Sequence, residues 1–413
     1  MDARVVSPDM SMKSALPCVL TINAGSSSIR FAVYEASAPP RRRLEGKVDR
    51  IGSSSTTLLV GRPAGVTPVA SRLDATDHRA AAAAVLTWLE TQPIFASIKA
   101  VGHRVVHGMK HTAPVRVTPR LLAELHRIAS FLPEHLPREI ALIEAWRRRH
   151  PRLPQVACFD TAFHRTMPAV ATTLPIPREY AAKGIERYGF HGLSYEYLMK
   201  ELGRIDPGAA MGRVVLAHLG NGASMTAVHH GTSIDTSMGF TPTGGLVMGT
   251  RTGDVDPGLA YVLARTQRMT AARFQRMVNH EAGLLGVSGS SSDVRDLLAR
   301  EGSDVRAAAA VALFCYQAKK WIGTYAAALG GLETVVFAGG IGENAPLIRS
   351  RICAGLSFLG IELDERRNAA SAPLISRDTA RAKVRVIRTD EELMIAMSVI
   401  RVLELGAPRG ANA

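Results

Sequence analysis

Short apolar runs bounded by glycine, asparagine or serine recur along the chain and alternate with longer segments of helical period. The runs "CVLTINAG" (18–25), "SIRFAVYEA" (28–36), "IKAVGHRVVH" (98–107), "QVACFDTAF" (155–163), "RVVLAHLG" (213–220), "SMTAVHHG" (224–231) and "TVVFAGG" (334–340) predict strands. Apolar and β-branched residues fill them, and turn residues bound them. "DHRAAAAAVLTWLETQ" (77–92) predicts a helix with Asp77 as its N-cap, and "REIALIEAWRRRH" (138–150) one whose closing arginines complement the dipole. "SSSDVRDLLAR" (290–300) predicts another, capped by Ser292 or Asp293. A long alanine-rich helix is predicted within 303–331, closed by Gly330 and Gly331. Strands alternating with helices indicate an α/β protein.

One pattern occurs twice. "VLTINAGSSSIRFAVYEA" from Val19 and "VLAHLGNGASMTAVHHG" from Val215 both run strand, asparagine and glycine, serine, then a second strand carrying Ala-Val. One residue must be deleted to align them. The physical reading is a hairpin built twice, each turn able to offer backbone N–H groups to an anion. For the first turn two readings stand. It is an ordinary hairpin with a polar serine tip, or a phosphate loop in which Gly25 permits close approach, the serines donate and Arg30 adds charge. "HLGNGAS" (218–224) is a second such loop. "AGGIGENAP" (338–346) is a third, at a strand-to-helix turn before the helical "LIRSRICAGL", where amides and dipole point the same way. The chain has no G-x-x-x-x-G-K-[ST], which sets a P-loop NTPase aside.

Composition narrows the field. At 413 residues, 46% hydrophobic and 21% charged, the chain is globular and long enough for two domains. No apolar run reaches the roughly 18 residues of a membrane span, so no membrane partner is expected. Residues 1–17 lack the basic start and apolar stretch of a secretory signal and are expected to be a disordered leader, with Met12 as an alternative start. Cys18, Cys158, Cys315 and Cys353 are scattered without a C-x-x-C, which favours a reducing cytoplasm over a disulfide framework or zinc site. A net charge of +14 fits nucleic acid, an anionic small substrate or an arginine-rich proteome. The densest basic clusters are Arg41, Arg42 and Arg43, and Arg147, Arg148 and Arg149. Aromatics make up 5% and do not interleave with them, so nucleic-acid binding is not expected.

Several polar residues stand in unusual company. Arg104 lies among valines in "VGHRVVHG" (101–108), where burial is costly without an anion or carboxylate partner; the alternative is an exposed strand end. Arg251 lies in the glycine-rich "GTRTGDVDPG" (249–258) beside Asp254 and Asp256. Such a loop brings a guanidinium to a phosphoryl group, or pairs it locally. "FDTAFH" (159–164) ends a strand with Asp160, and "RYGFHG" (187–192) sets His191 between Phe190 and a glycine, where a lone histidine is more often structural.

Taken in order, "NAGSSSIRFAVY", "GHRVVHG", "FDTAFH", "YGFHGLSYEYL", "HLGNGAS", "MGTRTGDVDPG", "AGGIGENAP" and "TDEELMIA" resemble the acetate kinase family, and the related propionate kinases share the pattern. The resemblance spans residues 19–400. It implies the α/β fold shared with sugar kinases, actin and heat-shock chaperones: two duplicated, ribonuclease H-like (actin-like ATPase) domains of βββαβαβα type around a nucleotide cleft. The first domain is expected over 18–163 with 392–413, and the second, nucleotide-binding and dimer-forming, over 164–391. The implied reaction is reversible, direct in-line transfer of the ATP γ-phosphate to the carboxylate of acetate, giving acetyl phosphate and ADP, in a cytoplasmic homodimer.

By the same resemblance, Asn23 and Glu391 are expected to help hold Mg²⁺, or Mn²⁺ in its place, and Arg30 to contact nucleotide phosphate. Arg104 is expected on the carboxylate with Asp160 beside it, and His191 and Arg251 on the transferring phosphoryl group. Val106, His135, Phe190 and Pro242 are expected at the substrate. His218, Leu219, Gly220, Asn221 and Gly222, with Asp293, Val294 and Arg295 and with Gly340, Ile341, Gly342, Glu343 and Asn344, are expected to bind ATP. The chemistry is coherent. A carboxylate ionised at neutral pH needs no general base, so the enzyme must instead offset repulsion between two anions. Two arginines, a histidine and a divalent cation supply that charge, and Asp160 becomes an orienter rather than a base.

The sequence departs from the family at four places. Arg30 stands where lysine is usual, a fork in place of a point charge. In "FLPEHLPREI" (131–140), Glu134 replaces a leucine that helps enclose the acetate methyl, and Leu136 replaces an asparagine. Met109 stands where a second glycine is common. A carboxylate facing a methyl group is costly, so either that loop is shifted or the pocket takes something larger or more polar. Propionate or another short carboxylate is therefore an alternative substrate. A non-catalytic nucleotide-binding module of the same fold is the alternative from another class; Arg104, Asp160, His191, Arg251 and Glu391 together argue against it.

Overall fold

The structure, a computed structural model, describes residues 16–25, 28–51, 56–61, 69–73 and 75–406. Residues 1–15 of the expected leader, Met12 among them, Ser26 and Ser27 of the first loop, and residues 407–413 lie outside the described residues. The chain forms two compact units: Met1–Arg104, Pro114–Cys158 and Ile395–Ala413 make one, and Val105–Ala113 with Phe159–Met394 the other.

The first unit is built on strands β1 (Cys18–Ala24), β2 (Ile29–Glu35), β3 (Arg41–Asp49), β4 (Thr57–Gly61), β5 (Val69–Arg72), β6 (Ile98–Val105), β7 (Val115–Arg116) and β8 (Gln155–Phe159). They form one sheet in the order β5-β4-β3-β2-β1-β6-β8-β7. β1 runs antiparallel to β2 and parallel to β6. Leu20, Ile22, Phe31 and Val33 turn into a core closed by Val85, Leu86 and Leu89 of the helix His78–Glu90 and by Leu142 and Trp146 of the helix Leu136–Arg149. Asp77 caps the first of these helices by accepting from the Ala80 amide at 2.8 Å, an interaction of about 1 kcal/mol. The last helix, Glu391–Val402, lies against β6 because residue 102 has no side chain: a Cβ on Gly102 would sit 2.4 Å from Ile395 Cγ2 and 2.6 Å from Val399 Cγ2.

The second unit carries β9 (Arg213–Leu219), β10 (Ala223–His229), β11 (Thr232–Thr236), β12 (Thr334–Ala338) and β13 (Lys383–Val386), in the order β11-β10-β9-β12-β13. Leu198 and Leu202 of the helix Gly192–Ile205 pack with Val214, Leu216 and Val336 of the sheet. The long helix Val305–Ala328 begins at Asp304, whose carboxylate accepts from Arg306 and Ala307 amides. It ends where Gly330 and Gly331 take positive φ and the Gly331 amide bonds back to the Ala326 carbonyl.

The repeat in the sequence is a repeat in space. The order β3-β2-β1-β6-β8 of the first sheet is matched by β11-β10-β9-β12-β13 of the second. Each leading hairpin closes its turn alike: the Gly25 amide donates to the Ser28 carbonyl at 2.8 Å, and the Gly220 amide to the Gly222 carbonyl at 3.0 Å. Four residues separate β1 from β2 and three separate β9 from β10, which accounts for the single deletion.

One expectation shifts. "QVACFDTAF" is strand only to Phe159, after which the chain turns into the 3₁₀ segment Ala162–Thr166. The cluster of Arg41, Arg42 and Arg43 opens strand β3, with Arg42 paired to Glu45 and Arg43 to Glu35 at 3.0 Å. All four cysteines are buried and free.

Candidate active site

In the first unit the strand register assembles a polar cluster at the end of β1. Asn23, only 5% exposed, is the cross-strand partner of the exposed Arg30 on β2. On its other side lies β6, from which Arg104 Nη1 donates to Asn23 Oδ1 at 3.4 Å and to the Ala24 carbonyl at 3.3 Å. One buried amide thus has an arginine on each neighbouring strand. Beyond β1, His78 Nε2 donates to the Gly25 carbonyl at 3.0 Å, tying the first turn to the start of its helix. Burial lowers the pKa of this half-buried imidazole. His78 was not foreseen, since nothing local links it to a turn more than fifty residues away. Glu134 and His135 sit half-buried in the turn before the helix Leu136–Arg149, which opens with the fully buried Leu136.

In the second unit the main chain brings Asp160 to His191. The Asp160 amide donates to the Val105 carbonyl at 3.0 Å, and its own carbonyl accepts from the Gly192 amide at 2.9 Å, so the buried Asp160 sits at the start of the helix Gly192–Ile205. His191, just before that helix, has φ +62. Its Nδ1 lies 2.8 Å from Ser224 Oγ on β10, and its ring stacks on His218 of β9 with centroids 4.3 Å apart. His218 Nδ1 meets Ser194 Oγ at 2.8 Å, and Ser194 Oγ meets Thr389 Oγ1 at 2.8 Å. Ser194 and Tyr195 follow His191 by three and four residues, the spacing that puts helix side chains on one face. That spacing was the available signal for two residues the sequence reading passed over.

An apolar group adjoins these residues. Val106 and Phe190 are each 1% exposed. His107, beside Val106, meets Phe190 edge-on at 5.8 Å and Tyr188 at 4.3 Å. His164 donates through Nε2 to the Phe190 carbonyl at 3.0 Å and accepts from the Ser233 hydroxyl at 2.9 Å. Burial pushes its pKa down to about 4, so it is a neutral strut for the Phe190–His191 turn. The Pro242 carbonyl accepts from Arg251 Nη1 at 3.1 Å, which turns the Arg251 loop back on itself.

The glycine loops of this unit converge. A Cβ on Gly222 would lie 3.4 Å from His191 Nε2 and 3.6 Å from Arg251 Nη1, so both groups face the space this residue leaves empty. A Cβ on Gly249 would strike Asn221 Oδ1 at 2.3 Å and approach the Ser292 carbonyl at 3.2 Å. Gly339, at φ +75, packs so tightly on Leu219 that a Cβ would stand 2.7 Å from its carbonyl oxygen. The turns after β9 and β12, the Arg251 loop and the start of the helix Val294–Arg300 therefore form one constellation.

Within it the predicted residues divide by what they can offer. Leu219 and Val294 are buried side chains with only main-chain atoms to present. Asp293 caps its helix and pairs with Arg295, whose guanidinium holds the Asp293 carboxyl below its ordinary range. In the helix Gly339–Asn344, Arg349 caps the Gly342 carbonyl at 2.8 Å and Asn344 Nδ2 donates to the Gly340 carbonyl at 2.9 Å, while Ile341 is half-buried. Glu343 Oε1 accepts from the Gly339 amide at 3.0 Å and the Thr389 amide at 3.1 Å, anchoring the turn to the segment that leads into Glu391. Among the described residues, no three His, Cys, Asp or Glu side chains gather as a metal cluster.

Two copies of one sheet order, with glycine turns following β9 and β12 and a histidine and an arginine beside them, define an α/β protein of duplicated sheet order, and its relatives are kinases. The model of the acetokinase family matches residues 18–397. The acetate kinase of Rhodopseudomonas palustris is 44% identical over 395 residues, covering 94% of this chain and 99% of that protein. Among solved structures, Porphyromonas gingivalis acetate kinase matches with a TM-score of 0.83 at 35% identity, covering 94% of this chain and 100% of that one. A propionate kinase from Francisella tularensis subsp. tularensis matches with a TM-score of 0.86 at 34% identity, covering 93% and 99%. The chain belongs to the acetokinase family.

Proposed function

We propose that the protein is an acetate kinase, transferring the ATP γ-phosphate reversibly and in line to the carboxylate of acetate, with acetyl phosphate and ADP as products. The observation that carries this reading is the convergence of His191 Nε2 and Arg251 Nη1 on the space above Gly222. A carboxylate oxygen attacks the γ-phosphorus while the bond to the ADP oxygen breaks, and no proton has to move. His191 and Arg251 donate to the phosphoryl oxygens as charge spreads over them. Arg104 offsets the charge of the carboxylate, Asp160 orients the groups around it, and Val106, His135, Phe190 and Pro242 receive the acyl end. Arg30, the turn 218–222, the helix start at Asp293, Val294 and Arg295, and Gly340, Ile341, Gly342, Glu343 and Asn344 hold the nucleotide.

The glycine constellation fits a nucleotide, since side chains at positions 222, 249 and 339 would fill or distort it. A magnesium ion, or manganese, would lower the charge of the phosphates. Asn23 and Glu391 suit it as hard oxygen donors, since such an ion takes one or two protein groups and leaves its other positions to phosphate and water.

Three further parts of the reading have separate support. The helix Gly258–Gln267 buries none of its residues, and Tyr261 and Val262 are 69% and 50% exposed, which suits a homodimer formed through the second unit. Among the described residues no helix is long and apolar enough to cross a membrane, in keeping with a cytoplasmic enzyme. Propionate or another short carboxylate is the second reading for the acceptor, favoured by the likeness to a propionate kinase and by Glu134. Hydroxylamine trapping of acyl phosphate, with ATP and with acetate, propionate or butyrate in parallel, tests the reaction and its acceptor. Hydroxamate is expected from acetate; a much larger yield from propionate selects the second reading. No hydroxamate from any acceptor sinks the kinase and favours a nucleotide-binding module.

A further inference from the structure

We propose that Tyr195 and Ser224 are positioning residues that fix the tautomer of His191, so that its Nε2 carries the hydrogen and donates across the space above Gly222. The inference rests on the phosphotransfer reading for its purpose but not for its geometry. The Tyr195 hydroxyl hydrogen-bonds Ser224 Oγ, and Ser224 Oγ lies 2.8 Å from His191 Nδ1. Tyr195 and Ser224 are both 0% exposed, so neither hydroxyl can turn to water. Burial also raises the Tyr195 phenol well above its ordinary value, which keeps its hydrogen in place. Among the described residues neither hydroxyl donates to an oxygen beyond these two contacts.

Counting hydrogens then selects one arrangement. Two contacts must each contain one hydrogen, and two hydroxyl hydrogens are available. If His191 bears its hydrogen on Nε2, its Nδ1 is an acceptor: Ser224 donates to it and Tyr195 donates to Ser224, leaving nothing over. If the hydrogen is on Nδ1, that group donates to Ser224, and a single hydroxyl hydrogen completes the Tyr195 contact. The other is then buried with no acceptor. A stranded buried donor is costly enough to favour the first arrangement by roughly ten-fold or more.

The choice decides what His191 can do. With the hydrogen on Nε2 it presents a donor beside Arg251; with the hydrogen on Nδ1 it would present a lone pair to anionic phosphoryl oxygens. The stack on His218 holds the ring in place but leaves the site of its hydrogen open, and the hydroxyl chain decides that.

The test uses the full-length protein labelled with ¹⁵N in histidine, read by long-range ¹H–¹⁵N correlation, with His191 assigned by the signals lost in His191→Gln. A bare Nδ1 and a protonated Nε2 are expected in the parent protein. Ser224→Ala should mix the two tautomers and lower kcat about ten-fold or more while leaving KM for nucleotide nearly unchanged. Tyr195→Phe, which frees Ser224 to donate or accept, should show an intermediate mixture. A hydrogen on Nδ1 in the parent protein overturns the proposal whatever the activity. So does a Ser224→Ala protein with the parent's tautomer and kcat. A protonated Nε2 in a protein that makes no hydroxamate supports the tautomer assignment and removes the kinase reading, so the two failures are read apart.

Discussion

Arg104 donates to the side-chain oxygen of Asn23 at 3.4 Å although 81 residues separate them, because β6 runs parallel to β1 and beside it. This contact turns the arginine toward the end of the hairpin rather than leaving it at a free strand end. Its guanidinium is half-buried, where an anion is worth far more than in water. Arg104→Ala and Arg251→Ala are each expected to lower kcat by about 10²-fold or more while urea unfolding stays near that of the parent. Steady-state kinetics on soluble, folded variants checks this, and near-normal turnover in either removes the proposed mechanism.

Gly222→Ala separates room from fold. The added Cβ would meet His191 Nε2 and Arg251 Nη1 at ordinary contact distances of 3.4 and 3.6 Å, so the chain can fold around it. It would nevertheless occupy the space on which both groups converge. Stability is expected within about 1 kcal/mol of the parent, with kcat down by about ten-fold or more. An active Gly222→Ala enzyme would place the phosphoryl group elsewhere.

Met109 is a residue of the wrong kind for its backbone. Its φ is +48, in the left-handed region that costs a side-chain-bearing residue about 1–2 kcal/mol. Glycine there avoids the clash but loses about 0.4–1 kcal/mol through the freedom of the unfolded chain. Met109→Gly should therefore be neutral to about 1 kcal/mol more stable, whereas the β-branched Met109→Val should be clearly less stable. Denaturant midpoints for the pair decide it; equal losses would mean that the methionine side chain, which reaches toward Gly184, matters more than the backbone.

Acid should weaken the fold well before its carboxylates titrate. His103, His107 and His164 are buried, and burial lowers each from 6.5 to about 4. A group whose folded value lies below its unfolded value gives stability that is complete above the unfolded value and lost as pH falls toward the folded one. The window is thus from about 6.5 down to about 4, and the summed loss across it is on the order of 10 kcal/mol. Thermal unfolding at about pH 7.5 and about pH 5 should show a clear fall in Tm; an unchanged Tm would mean these imidazoles are less isolated than their burial indicates.

The proposed dimer has its own test. Charge at Tyr261 and Val262 should disrupt association without touching a core, because no residue of the helix Gly258–Gln267 is fully buried and these two are exposed. Tyr261→Asp with Val262→Asp is expected to convert a dimer to a monomer in analytical ultracentrifugation while leaving the far-UV spectrum unchanged. A parent protein that sediments as a monomer ends the proposal directly.

Much of this architecture was legible in one dimension, and the failures are instructive. Asp77 and Asp293 announced their helices because caps are local chemistry, read within three residues. Strand β3 went unseen because Arg41, Arg42, Arg43, Glu45 and Lys47 dilute its apolar alternation to Leu44 and Val48, the only two residues it fully buries. The Phe159 end of β8 was overrun because Ala162 and Phe163 bring back apolar residues just beyond it, while the backbone groups of Asp160 are claimed by Val105 and Gly192.

What the sequence by itself determined was the α/β alternation with its most apolar strands and capped helices, the repeated hairpin and the order of the glycine loops, all of which depend on period and on turn chemistry within a few residues. The tertiary structure alone decided which of these meet. It set Arg104 against Asn23, gave Glu343 to the amides of Gly339 and Thr389, and joined Tyr195 through Ser224 to His191. Such contacts join residues up to 81 positions apart, and no local propensity records them. They follow from strand register and helix docking, where the burial of a common core selects one pairing from many.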